Sequence, residues 1–312
     1  MSLSEVAPRT FAYVQGDGGW GLSNAGLVVG DDGEALLVDT FFDLPRTRAL
    51  LDALPVRPTV VVNTHFNGDH CWGNELVADA RIVAHAMCRD QLVNGPTPDF
   101  LAGIVGGDSG GDPTIEYLQA AFAPFDFAGI TLTPPTETFD AERTVDVGGR
   151  QVVLRHHGPA HTLGDCVAWV PDERVLFTGD LVFYKVCPLV WDGTITTWLA
   201  ALDDMLSLDP AVVVPGHGPV AGPEAVQEMA GYFRALVDQG RALHDQGLPV
   251  EEAYGRLDLG RYTTWVDYER TALNLLAVYK ELDGEEPGVD AFTAFGAMAT
   301  AARQRRINGG CC

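Results

Sequence analysis

Thr59-Val60-Val61-Val62-Asn63-Thr64-His65-Phe66-Asn67-Gly68-Asp69-His70 changes character halfway along. The first half is β-branched and apolar, which predicts a short buried strand. The second half sets two imidazoles, a carboxylate and an amide side by side, with Gly68 permitting a tight backbone. A single histidine pair would read as a solvated polar turn. As a set, His65, Asn67, Asp69 and His70 offer several ligand atoms from one rigid strand end, which points to a metal site.

Three later stretches repeat the arrangement. Gln151-Val152-Val153-Leu154-Arg155 leads to His156-His157-Gly158-Pro159-Ala160-His161, Val175-Leu176-Phe177 leads to Thr178-Gly179-Asp180, and Ala211-Val212-Val213-Val214 leads to Pro215-Gly216-His217. Strand ends gathered on one edge would bring His161, Asp180 and His217 to the first loop. These groups together exceed what one tetrahedral zinc ion needs, so two ions are the natural count. A carboxylate between two ions, with a shared water, suits hydrolysis near neutral pH.

The remaining composition narrows the function classes. The chain has 312 residues, 46% hydrophobic, with 43 acidic and 20 basic residues and a formal net charge of −23. Such an acidic surface argues against nucleic acid and anionic membranes as partners. The opening Met1-Ser2-Leu3-Ser4-Glu5 lacks the basic and apolar regions of a signal peptide, so a cytoplasmic location is expected. No apolar run approaches the ~18 residues of a membrane span. Cys71, Cys88, Cys166, Cys187, Cys311 and Cys312 show no Cys-x-x-Cys spacing and are expected to be free thiols.

Along the chain, strands are expected at 11–15, 25–29 and 35–39, the last two joined by the hairpin turn Gly30-Asp31-Asp32-Gly33. A helix fits 44–54, with Pro45 in its first turn. Residues 91–135 are broken repeatedly by Gly and Pro, while Phe100, Tyr117, Phe122, Phe125 and Phe127 interleave. Such an insertion reads either as a lid or binding wall, or as a mobile surface loop with short helices. Helical spacing returns at 224–239, 250–257 and 265–282, and the chain from 284 reads as a tail, with Cys311-Cys312 at a flexible end.

In this order the chain resembles the metallo-β-lactamase-fold hydrolase superfamily over roughly residues 10–220. The resemblance rests on His65-Phe66-Asn67-Gly68-Asp69-His70, Ala160-His161-Thr162-Leu163-Gly164-Asp165, Thr178-Gly179-Asp180 and Pro215-Gly216-His217-Gly218. It implies an α/β fold, an αββα sandwich over 1–222 with a helical C-terminal extension over 223–312. It also implies Zn2+ as cofactor. His65, Asn67 and His161 would hold one ion and Asp69, His70 and His217 the second, with Asp180 between them. Asp69 would be the catalytic carboxylate, orienting the attacking water or taking its proton. Asn67 stands where the family usually has histidine. An amide oxygen is a weaker zinc ligand than imidazole, so the first ion is expected to be weakly held, absent, or replaced by iron or manganese.

The stretch Leu181-Val182-Phe183-Tyr184-Lys185-Val186-Cys187-Pro188-Leu189-Val190-Trp191 is apolar and aromatic. Tyr184, Lys185 and Trp191 are its candidate substrate contacts, although Trp191 reads equally as a packing residue. The opening 11–26 is similar to a bacterial subgroup of aromatic polyketide cyclase/thioesterases. That likeness implies a thioester substrate presented by an acyl carrier protein. A lactonase or glutathione-thioester hydrolase is the alternative within the hydrolases. An iron-binding oxygenase-like or non-catalytic metal-binding member is the alternative of another class.

Overall fold

Runs of β-branched and apolar residues build two sheets in the computed structural model, which describes residues 2–307. β1 (Ser2–Ala7), β2 (Thr10–Val14), β3 (Ala25–Val29), β4 (Ala35–Val38), β5 (Val60–Asn63), β6 (Arg81–His85) and β7 (Glu137–Phe139) form one sheet in chain order. Its pairs are antiparallel from β1 to β4 and parallel from β4 to β7. The second sheet holds β8 (Glu142–Val147), β9 (Arg150–His156), β10 (Cys166–Val170), β11 (Val175–Phe177) and β12 (Val212–Val214), in the order β12-β11-β10-β9-β8. There β11 and β12 are parallel, and the other pairs antiparallel.

The helices α1 (Leu44–Ala53), α2 (Gly68–Cys71), α3 (Ala86–Asn94), α4 (Pro98–Gly106) and α5 (Pro113–Phe122) lie within the first half. α6 (Ile195–Ser207), α7 (Glu224–His244), α8 (Val250–Tyr254), α9 (Thr271–Asp283) and α10 (Ala291–Ile307) follow in the second. Val28, Leu36 and Val62 of the first sheet meet Val152, Ala168 and Phe177 of the second in a buried layer between them. α1 covers the outer face of the first sheet through Leu50, against Val61 and Ile82. On the other side Trp198 of α6 and Phe233 of α7 pack with Leu176 and Val213. The order is therefore helix, sheet, sheet, helix. Burying each large apolar side chain contributes ~1.5–3 kcal/mol, so both sheet faces stabilise the sandwich.

The N-terminal strand and the C-terminal helix depart from the expectations, and residues 91–135 form short helices within one of the readings given for them. Ser2–Ala7, which carries no strong strand signal, pairs with β2 as an edge strand. Residues 91–135 hold α4 and α5, and bury Phe122, Phe125 and Phe127 with Phe42 and Trp72; Phe100 remains 59% exposed. The segment read as a tail from 284 contains α10, whose Ala294 and Met298 are buried against Leu273 and Leu189. Cys71, Cys88, Cys166 and Cys187 are free and buried, whereas Cys311 and Cys312 lie outside the described residues. Among the described residues, no helix is long and apolar enough to cross a membrane.

Candidate metal centre

Parallel neighbours deliver their C-terminal ends to one edge of a sheet. β4 therefore brings Asp39, and β5 brings the loop 64–70, to the same place. In the second sheet β11 and β12 do the same for Asp180 and His217. The Thr178 N–H donates to the Val214 carbonyl at 3.0 Å and the Gly216 N–H to the Gly179 carbonyl at 2.8 Å, which fixes these two turns side by side. Gly179 has φ +49°, and a Cβ there would lie 2.3 Å from Thr64 Oγ1, so both backbone and space demand glycine.

Two groups of potential ligand atoms result, each within 4.8 Å: His65, His161 and Asp180 in one, Asp69, His70 and His217 in the other. The groups touch. Asp180 Oδ2 lies 3.4 Å from His161 Nε2, 3.7 Å from His65 Nε2 and 3.5 Å from His217 Nε2. Asp180 Oδ1 lies 3.1 Å from His70 Nε2, and Asp69 Oδ2 is 3.3 Å from His217 Nε2. The two imidazoles His70 and His217 approach to 3.4 Å between their Nε2 atoms.

Each ring is aimed by its other nitrogen. His161 Nδ1 donates to the Leu189 carbonyl at 2.7 Å and His217 Nδ1 to the Gly18 carbonyl at 2.9 Å. His70 Nδ1 donates to Asp39 Oδ2 at 2.9 Å. Thr64 Oγ1 donates to that same oxygen at 2.7 Å and sits 3.1 Å from His65 Nδ1, which can donate to it. This leaves all four Nε2 atoms facing inward, the tautomer a ligating imidazole needs. Asp39 was legible only as a carboxylate ending a strand, and its role here comes from the structure. The flanking turns are held too. Asn24 Nδ2 donates to the Pro215 and Gly218 carbonyls around His217, and Asp165 accepts from the Thr162 N–H and hydroxyl beside His161. Burial pushes the Asp165 carboxyl up to about 8.

The two groups differ in their affinity for protons. Burial, then the neighbouring His70, lowers His65 well below the usual imidazole range; burial also lowers His161, although Asp180 opposes it. In His217 burial acts the same way, but Asp180 and Asp69 outweigh it and raise the ring to about 9; the same acids raise His70. Asp69 is raised by burial and lowered more by His70 and His217, to about 2.

His65 Nε2, His161 Nε2, Asp180 Oδ1 and Asn67 Oδ1 are buried without a hydrogen-bond partner. Orphaned acceptors of this kind are costly unless another group supplies the missing bond. Imidazole nitrogens and carboxylate oxygens are the donor set zinc favours, so the residues fit a divalent ion.

Above the two groups lies a cavity of about 280 Å³. Asn67, Asp69, His161, Asp180 and His217 form its polar floor, and Trp20, Phe42, Phe122, Trp191 and Phe295 are among its apolar walls. Trp191 thus lines the cavity. Tyr184 and Lys185 are not among the residues lining it: Tyr184 packs into the core beneath α7, with the Lys185 amine 5.1 Å above its ring. Arg270 and Phe295, from distant parts of the chain, line it instead.

The other histidines stand apart. His85 and His156 stack at 3.7 Å behind the His161 loop, where His156 Nε2 donates to the Leu163 carbonyl. His157 Nε2 is buried, 3.7 Å from Asp204. His244 pairs with Asp283. Cys71 donates its thiol to the Phe66 and Asn67 carbonyls and adds no ligand to either group.

The family model of the metallo-beta-lactamase superfamily matches residues 18–217. A linear primary-alkylsulfatase of Pseudomonas sp. (strain ATCC 19151) is 28% identical over 242 residues, covering 71% of this chain and 44% of that protein. The acyl-coenzyme A thioesterase MBLAC2 of Bos taurus is 24% identical over 203 residues, covering 61% of this chain and 67% of the other. Among solved structures, the stereoselective inverting sec-alkylsulfatase Pisa1 from Pseudomonas sp. superposes with a TM-score of 0.66 at 18% identity. It covers 90% of this chain and 50% of its own. The chain spans about half the length of these alkylsulfatases or less.

Proposed function

As the chain belongs to the metallo-β-lactamase superfamily, we propose that it is a zinc-dependent hydrolase that cleaves thioesters of an apolar or aromatic acyl group. A polyketide cyclase/thioesterase acting on an acyl carrier protein is the form we favour. The observation that carries this reading is the contrast within one cavity: an imidazole and carboxylate floor beneath walls of Trp20, Phe42, Phe122, Trp191 and Phe295. Such walls bury an acyl chain or an aromatic ring, and the floor meets its polar end. The thioesterase relative supports the same bond class.

Zinc in such a centre supplies Lewis acidity and a water of lowered pKa. His65, His161 and Asp180 would hold one ion, and Asp69, His70 and His217 another. Asp69 is the ligand carboxylate most open to the cavity, 14% exposed against 5% for Asp180. That exposure supports assigning it to orient the attacking water and receive its proton. Asp39 keeps His70 in the required tautomer through Nδ1. An acyl group seated against the aromatic walls would displace water from the floor, which strengthens the charge interactions there.

A second reading is hydrolysis of a sulfate ester. It draws on the alkylsulfatase relative, 28% identical over 242 residues. Elemental analysis of purified protein, with a panel of aryl and alkyl thioesters, lactones, β-lactams and alkyl sulfates, separates the two. Zinc with thioester turnover supports the first reading. Turnover of sulfate esters alone overturns it, and iron with oxygen uptake overturns both.

A further inference from the structure

Arg270 is 1% exposed and lines the cavity together with Asp69, Asp180 and His217. A guanidinium carries five N–H donors. Among the described residues it makes one hydrogen bond, from Nη1 to the Cys187 carbonyl at 3.1 Å. Asp267 Oδ2 lies 2.7 Å from Nη2 as an ion-pair contact, and Nε has no partner. The rest of its surroundings are aromatic: the Trp20 ring centre is 4.0 Å from the guanidinium carbon and that of Phe183 is 6.0 Å. Aromatic faces attract a cation but do not satisfy its N–H groups.

A buried cation with donors to spare is expensive, and a purely structural arginine would spend those donors on protein oxygens. The neighbours of Arg270 hold it in place at the cavity. Glu269, its neighbour, accepts from Tyr117 Oη at 2.9 Å, and Tyr117 accepts from Trp20 Nε1 at 3.0 Å. Those bonds tie the arginine's segment to the wall formed by α5 and Trp20. Asp69, Asp180 and Asp192 on the cavity lining repel an anion, whereas His217 and any metal ion held by the floor attract one. Arg270 is the lining cation that meets an acidic group on a bound molecule without any metal.

We propose that Arg270 forms an oxyanion subsite that binds a carboxylate carried by the acyl part of the substrate, away from the bond that is cleaved. The position relative to the cleaved bond rests on the hydrolase reading; the oxyanion subsite itself does not. Guanidinium suits this task because its planar donors match the two oxygens of a carboxylate. Asp267 tempers the site, since its carboxylate competes for the same cation.

The test compares two thioesters of matched length on the zinc-loaded protein, one ending in a carboxylate and one in a methyl group. Wild type is expected to favour the carboxylate in kcat/KM by roughly 10- to 100-fold, the range of a charge-assisted hydrogen bond. Arg270→Gln should lower that ratio, and Asp267→Asn should raise it. A folding defect cannot produce opposite signs in the two variants. An unchanged ratio in both, or a fall in both, overturns the subsite. If neither thioester turns over, the hydrolase reading fails, and binding decides alone. The probes are then 5-phenylpentanoate and 5-phenylpentanol, titrated against tryptophan fluorescence in zinc-loaded and chelator-treated protein. Tighter binding of the carboxylate in both preparations, lost in Arg270→Gln, upholds the subsite. Equal binding of acid and alcohol means that Arg270 faces a buried water only, and overturns it.

Discussion

The two halves of the candidate metal centre contain similar side chains and behave differently. His65 and His161 share one carboxylate, Asp180, and burial dominates: both rings are driven toward the neutral form. His70 and His217 are as deeply buried but face both Asp69 and Asp180, and His70 also touches Asp39. There the acids win, and the rings favour their protons. Two histidines per carboxylate give a site open to a cation but weak in charge. Two or three carboxylates around two histidines give a strongly attracting one. The same count makes the Asp69 half the stronger cation trap.

The largest effect expected from breaking this comparison is on turnover. Asp69→Asn removes a charge from the stronger half and the cavity-facing acceptor, and should lower kcat on the order of 10²- to 10⁴-fold. A thioester assay with zinc content measured alongside checks it; full activity in the variant would remove Asp69 from the reaction.

His157 isolates the contribution of burial. It is less deeply buried than His217 and meets a carboxylate, Asp204, that is about half exposed, and burial lowers it to about 4. Above pH 6.5 neither the native nor the unfolded chain protonates this ring. As pH falls below 6.5 the unfolded chain takes up a proton that the native one refuses, so stability drops until about pH 4. The loss amounts to about 3 kcal/mol. Urea midpoints at pH 7 and 4.5 should therefore shift less in His157→Leu than in wild type.

Asp39→Asn weakens the carboxylate that aims His70 and should reduce zinc affinity of the Asp69 half by roughly 10- to 100-fold, with a smaller loss in the His65 half. Competitive chelator titration resolves the two. The smallest effect is expected from Asn67→His, which should raise zinc bound per chain at low free metal by giving the His65 half an additional imidazole. Equilibrium dialysis that finds no increase would place position 67 outside metal binding.

The polar floor was legible in the sequence because each ligand follows a β-branched run, and a histidine at the end of such a run has few structural uses. Asp39 follows such a run too, but a lone carboxylate after Leu36-Leu37-Val38 is common at strand ends, and its contact with His70 arises from sheet pairing. The walls were legible only in part, through Trp191 and the aromatic segment that holds Phe122. Trp20, Phe122, Arg270 and Phe295 come from segments far apart in the chain, and nothing local marks them as neighbours. β1 lacks enriched β-branched residues and is held as an edge by its partner. α10 is rich in alanine and has no strong apolar stripe, so its helix rests on packing against α5 and α9 rather than on pattern.

One consequence of the cavity's construction concerns mutation. Its floor is supplied by strand ends between Asp39 and His217, where a change in one turn disturbs several ligands at once. Part of its roof, Ala291 and Phe295, belongs to α10, which among the described residues shares no backbone hydrogen bonds with either sheet. A substitution in the roof can therefore rework what the cavity accepts while leaving the ligands beneath it in place.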